Sequence, residues 1–165
     1  MINNTHMSQY IPPTKFHYVT GTWTQAAGQV AGTIAVHKAA TAETAVVTIP
    51  IEIPGNSVAL QGAKLLSIEV DYEILVADLT SITAVLNKVT RGADLAVATV
   101  AAVTQTQVPT AALAKVTDQH KLVVTLTTPE WDLSTTYYLL QLTCVAPAST
   151  TLDFLAAVAN FTFRA

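Results

Sequence analysis

Three carboxylates on alternate positions, Glu69, Asp71 and Glu73, form the densest set of potential metal ligands in the chain. In an extended strand, residues two apart point to the same side. Neighbours in such a row stand about 6.5–7 Å apart, too far for all three to grip one ion. A calcium site there would need oxygen ligands from another strand or another chain. The simpler alternative is a solvated strand face. A second pair of acids, Glu130 and Asp132, brackets Trp131. Glycosidase carboxylates stand ~5–9.5 Å apart across a cleft, so the spacing is permissive. Acids two apart before a strand are also ordinary turn chemistry, with Asp132 bonding local backbone N–H groups.

The remaining chemistry-bearing residues are dispersed. His6, His17, His37 and His120 lie far apart, with no paired spacing of the kind that holds a metal. Cys144 continues the apolar parity of Tyr138, Leu140 and Leu142, which marks it as a small core residue with no adjacent histidine to activate it. Trp23 reads as a core anchor, with a ligand surface as the alternative. Asn3-Asn4-Thr5 and Asn160-Phe161-Thr162 match the glycan-acceptor pattern by chance, and Arg91-Gly92-Ala93-Asp94 is turn chemistry. No Gly-rich phosphate loop, nucleophile elbow or paired Cys-x-x-Cys is present. The sequence therefore assigns no catalytic, cofactor-binding or metal-ligating residue, and a non-enzymatic protein without cofactors is expected.

The elements that carry these residues are strands. From Leu65 to Val76, Ile68, Val70, Tyr72, Ile74 and Val76 alternate with Glu69, Asp71, Glu73 and Leu75, the period of a half-buried strand. Residues 16–25, 29–38, 44–53, 80–91, 120–128, 135–145 and 151–164 are rich in β-branched and aromatic residues and read as strands too. Turn residues separate them, among them Pro54-Gly55-Asn56, Gln61-Gly62, Pro129 and Pro147. Pro50 has no N–H to donate and places its strand at an edge or a bulge. In the 151–164 strand, Leu155, Ala157, Ala159, Phe161 and Phe163 are expected to face away from Phe154, Ala156, Val158 and Asn160. Residues 92–119 read as a long connection carrying a short strand or a helical turn.

About eight strands make an all-β, two-sheet antiparallel sandwich of jelly-roll type. Residues 1–13 read as an N-terminal arm stiffened by Pro12-Pro13, and residues 14–165 as a single domain. A chain of 165 residues is long enough to bury a substantial core without disulfides.

Composition then bears on partners. Apolar residues make up 51% and charged residues only 12%, about half the ~25% usual in globular proteins. No stretch has the roughly 18 nearly continuous apolar residues of a spanning helix, and the strand ends lack the aromatic girdles of a membrane barrel. The formal charge of −3, with lysines and arginines scattered singly, is not a nucleic-acid footprint. Both outer faces of the 135–145 and 151–164 strands are unusually apolar. Cover by other copies of the chain explains this, with cover by loops as the alternative.

The order of segments carries a resemblance. Gly21-Thr-Trp-Thr, Val46-Val-Thr-Ile-Pro-Ile, Gly62-Ala-Lys-Leu-Leu-Ser-Ile-Glu-Val-Asp-Tyr, His120-Lys-Leu-Val-Val-Thr-Leu-Thr-Thr-Pro, Tyr137-Tyr-Leu-Leu-Gln-Leu and Asn160-Phe-Thr-Phe follow one another over residues 21–164. In that order, and in its wealth of Ala, Thr and Val, the chain resembles small jelly-roll capsid and decoration proteins of tailed phages and virus-like elements. The resemblance implies a homo-oligomeric virion subunit, often trimeric, made in the host cytoplasm and contacting other virion proteins. It supplies no catalytic residues. A carbohydrate- or surface-binding sandwich module is the alternative, and it requires an exposed Trp23 or Trp131 near acids.

Overall fold

The computed structural model describes residues 4–27, 34–53, 62–92, 98–132 and 135–164. Among these residues the chain forms twelve strands in two antiparallel sheets, packed face to face. The strands are β1 (Asn4–Ile11), β2 (His17–Thr20), β3 (Trp23–Ala27), β4 (Ile34–Lys38), β5 (Glu43–Glu52), β6 (Ala63–Leu75), β7 (Ser81–Thr90), β8 (Thr99–Ala102), β9 (Gln105–Val108), β10 (Asp118–Leu126), β11 (Thr136–Ala146) and β12 (Thr151–Arg164). A 3₁₀ turn at Pro13–Lys15 and a one-turn helix, α1 (Ala111–Ala114), complete the elements.

The pairing order is that of a jelly roll. β4 pairs with β12, β5 with β11, β6 with β10 and β7 with β8, as the two arms of one long folded ribbon would. The ribbon rolls up because β12 also pairs with β6, and β11 with β7. The first sheet therefore runs β3-β4-β12-β6-β10-β9, with β1 on the remaining part of the β12 edge, and the second runs β2-β5-β11-β7-β8.

The strand count corrects the expected eight. Each expected strand is present, but residues 16–25 divide into β2 and β3 at Gly21, whose φ of +104° turns the chain. The long connection contributes β8 and β9 as well as α1. The expected N-terminal arm is placed as β1, in unbroken register with β12 from Asn4 opposite Arg164 to Ile11 opposite Ala157. The Pro54-Gly55-Asn56 turn lies outside the described residues, as do Gln61, Ala93 and Asp94.

Alternation fills the core. Ala45, Val47, Ile49 and Ile51 of β5 are fully buried, as are Leu140, Leu142 and Cys144 of β11, against Val70, Tyr72 and Ile74 of β6. One expectation fails on β12. Phe154 shares the buried face with Ala157, Ala159, Phe161 and Phe163, and Leu155 is only half-buried. The cause is a bulge between Phe154 and Ala156, because one extra residue shifts the phase of everything after it. A second irregularity, opposite Leu65–Ser67, does the same to β6. Pro50 lies opposite Leu139 within β5, beyond the stretch paired with β2, where the outer edge of β5 has no partner strand among the described residues. A missing N–H costs nothing there.

Candidate functional site

The two outer faces of the sandwich differ in chemistry. On the second sheet, the outward parity of β5 carries Thr44, Val46, Thr48, Pro50 and Glu52. The facing parity of β11 carries Tyr137, Leu139, Gln141, Thr143 and Val145, all half-buried. β7 adds Thr83, Val85 and Asn87. Among these described outward positions Glu52, His17 and Tyr137 carry ionisable groups, and all three lie at the margin of the face. The centre, from Thr48 through Gln141 and Thr143 to Val85, is uncharged.

The outer face of the first sheet holds the charges. Glu69, Asp71 and Glu73 share the outward parity of β6 as the sequence predicts, but Glu73 is buried at 7% exposure where a solvated face is expected, and β10 answers them. Lys121 lies opposite Asp71, and its Nζ is 3.1 Å from Glu69 Oε2. These acids hold the Lys121 ammonium above its ordinary value, the Glu69 hydrogen bond most of all. Asn160 donates its amide to Glu69 Oε1 at 3.1 Å, and Gln119 donates to Glu73 Oε1 at 3.4 Å. His37 pairs with Asp153 at 2.5 Å. Among the described residues, no three His, Cys, Asp or Glu side chains gather as metal ligands.

Glu130 and Asp132 do come together, around a residue the sequence reading passed over. Lys88 on β7 is 2.8 Å from Glu130 Oε2 and 2.5 Å from Asp132 Oδ1. Tyr138 donates its hydroxyl to Asp132 Oδ2. Asp132 also exchanges backbone hydrogen bonds with Ala63, which ties the segment before β11 to the start of β6. Beside this cluster is a cavity of about 300 Å³ lined by Lys88, Leu126, Glu130, Tyr138 and the β8–β9 turn. Burial pulls the Lys88 ammonium down, but its bonds to Asp132 and Glu130 hold it above its ordinary value overall. The same ammonium holds the Glu130 carboxyl below its ordinary value, the opposite of what a general acid requires. Asp132 is 3% exposed and Tyr138 1%, so the arrangement is an ion-pair clamp on the end of the sandwich. Its signal was in the sequence, because Lys88 stands on the same inward parity as Ile82, Ala84 and Leu86.

The other residues singled out by type are packed or paired. Trp23 is half-buried, with its ring 4.8 Å from Tyr18 and 5.8 Å from Phe154, and its Nε1 donates to the Thr20 carbonyl at 2.8 Å. Lys64 places its ammonium 4.8 Å from the Trp131 ring centre. His120 stacks on Tyr72 and donates to the Val116 carbonyl; His6 bonds Thr162, and His17 is exposed. Asn160, in the apparent glycan motif, spends its amide on Ser67 and Glu69 and accepts from Ser8. Cys144 is fully buried, and burial pushes its thiol up to about 12. Lys38, also fully buried, donates to the carbonyls of Ala39 and Thr41 and faces Glu43 at 3.4 Å, which pins the β4–β5 turn.

Comparison with protein-family models and with curated protein sequences gives no match. Among solved structures, an arabinose-bound α-L-arabinofuranosidase aligns over 89% of this chain and 23% of its own, at 8% identity and a TM-score of 0.41.

Proposed function

We propose that the chain is a non-enzymatic structural subunit that associates with copies of itself, used in a phage shell or as decoration on one. The observation that carries self-association is the uncharged outer face of the second sheet. An ordinary solvated face would carry charged residues through its centre, as the first sheet does with Glu69, Asp71 and Lys121. With strands spaced ~4.8 Å apart and rising ~3.3 Å per residue, β5, β11 and β7 plus the short β2 and β8 present roughly 600 Å² of projected area. Two such faces together clear the ~1,000 Å² expected of a specific contact. A two-fold pairing through this face needs no desolvated ion pair, and its Thr and Gln side chains can bond across it. The virion setting rests on the resemblance in segment order and composition, and so does a trimer, which the two-fold pairing by itself does not build. Trp23 is wedged between Tyr18 and Phe154, and Lys64 stands over Trp131, so neither offers the open platform that a carbohydrate module needs.

The test is the solution mass of the full chain by light scattering, beside Thr143→Lys. Thr143 is half-buried on the outward side of β11, so the substitution leaves the core intact and sets like charges against each other across a two-fold contact. At least a tenfold rise in the dissociation constant is expected. An unchanged mass would remove the face from the assembly.

A further inference from the structure

The open edges of the two sheets are not alike. β9, β2 and β8 are four residues long and β3 is five, whereas β1 runs for eight. Short edge strands, bulges, prolines and charges are the devices that stop a sheet edge from pairing with another. β9 runs into Pro109 and β2 carries a bulge. β1 has none of these devices. Asn4–Ile11 contains no proline, lysine, arginine, aspartate or glutamate, and its register with β12 is unbroken. β4 occupies the same edge of β12 further along, opposite Leu152–Phe154, so it lies end to end with β1 and leaves the far side of β1 uncovered. Among the described residues, no backbone bond reaches that far side. Thr5, His6, Met7 and Ser8 are exposed, and Tyr10 is 62% exposed.

We propose that β1 pairs antiparallel with β1 of a second copy, joining the two first sheets into one continuous sheet. The contact is independent of the uncharged face of the second sheet and stands whether or not that face associates. A two-fold axis perpendicular to the sheet keeps both cores on one side, so opposed residues must share parity and the axis passes between one residue and its own copy. Met7, at the middle of the strand, fits that place. It brings Thr5 of one copy opposite Gln9 of the other, and Gln9 Oε1, enclosed without a hydrogen bond within its own chain, has to turn outward to meet it. The Thr5 hydroxyl supplies the missing donor. With two separate self-contacts, face and edge, subunits can assemble beyond a dimer, which one isologous contact alone does not allow.

The test uses the full chain with two substitutions. Met7→Cys should form a disulfide-linked dimer on mild oxidation, since cysteines on the axis face each other, while buried Cys144 stays out of reach. Ser8→Cys should link poorly; a better link there would uphold the pairing and move the axis by one residue. Met7→Lys sets two ammonium groups against each other and should lower the mass seen by light scattering at least twofold, with the circular dichroism of the parent. Thr143→Lys should leave the Met7→Cys link intact, which separates this contact from the face. No link from either cysteine, or a Met7→Lys mass equal to the parent's, would overturn the proposal. So would a parent whose first-sheet edge stays free at high concentration and accepts only a foreign extended peptide.

Discussion

Replacing Lys88 with methionine keeps the length of the side chain and removes the cation shared by Glu130 and Asp132. Asp132 is the costly partner, because its side chain is only 2% exposed. Breaking a buried pair by removing one member typically costs about 3–5 kcal/mol, since the other charge is left unpaired. Tyr138 still donates to Asp132 in the variant, so the lower end, about 3 kcal/mol, is expected. For a domain of this size that is a drop in melting temperature of about 6–12 °C. The assay is denaturant unfolding of the parent, Lys88→Met, Asp132→Asn and the double variant. In that cycle the double variant should be less destabilised than the sum of the singles, by about 2 kcal/mol. Glu130→Gln, at the exposed carboxylate of the same cluster, should cost far less than Lys88→Met. Additive single effects, or a loss below about 1 kcal/mol for Lys88→Met, would refute the view that the clamp holds this end of the sandwich.

Two other stability predictions follow from local geometry and titration. Hydrogen bonds from the Thr22 and Thr117 N–H groups hold Glu43 and Asp78 below their ordinary values, and Lys88 does the same for Glu130. At acid pH the unfolded chain therefore binds more protons, and stability should fall as pH drops below about 4. Lys88 and Lys121 are held above their ordinary values and the Cys144 thiol is pushed up to about 12. The Cys144 contribution is complete below about pH 8.5 and is lost as pH rises beyond it, whereas those of the two lysines stay complete to about pH 10 and fall only above that. Melting temperature measured from pH 3 to 11 should show a plateau with losses at both ends, and a maximum at either extreme would contradict these assignments. Gly21→Ala should cost about 1–3 kcal/mol, because φ is +104° and an added Cβ would stand 2.8 Å from Trp23 Nε1 and 3.0 Å from Ala45 Cβ. Thermal unfolding and near-ultraviolet dichroism of Trp23 read it directly, and parental values for both would show that the turn relaxes freely.

Strand identity was legible because period-two patterning depends only on which residues alternate. Ile68, Val70, Tyr72 and Ile74 announced the buried side of β6, and Tyr138, Leu140, Leu142 and Cys144 that of β11. The same rule misplaced Phe154, because a bulge costs one residue and leaves no mark in the composition. It also passed over β1. Asn4–Ile11 is polar and poorly patterned, and it becomes a strand because the edge of β12 offers it a ladder. Of the candidate chemistry, the acids were visible, but their neutralising partners came from strands far away in sequence. Lys88 meets Glu130 and Asp132, and Lys121 meets Glu69, only once the ribbon has rolled.

The sequence by itself determined that the chain would be all-β and sparingly charged, since alternation and composition are local properties that need no partner. Tertiary structure alone decided the jelly-roll order, the clamp at Asp132, the contrast between a charged and an uncharged outer face, and the long open edge at β1. Each of these depends on which strands become neighbours. That choice is made by the mutual fit of all the strands around one core, and no single segment carries it.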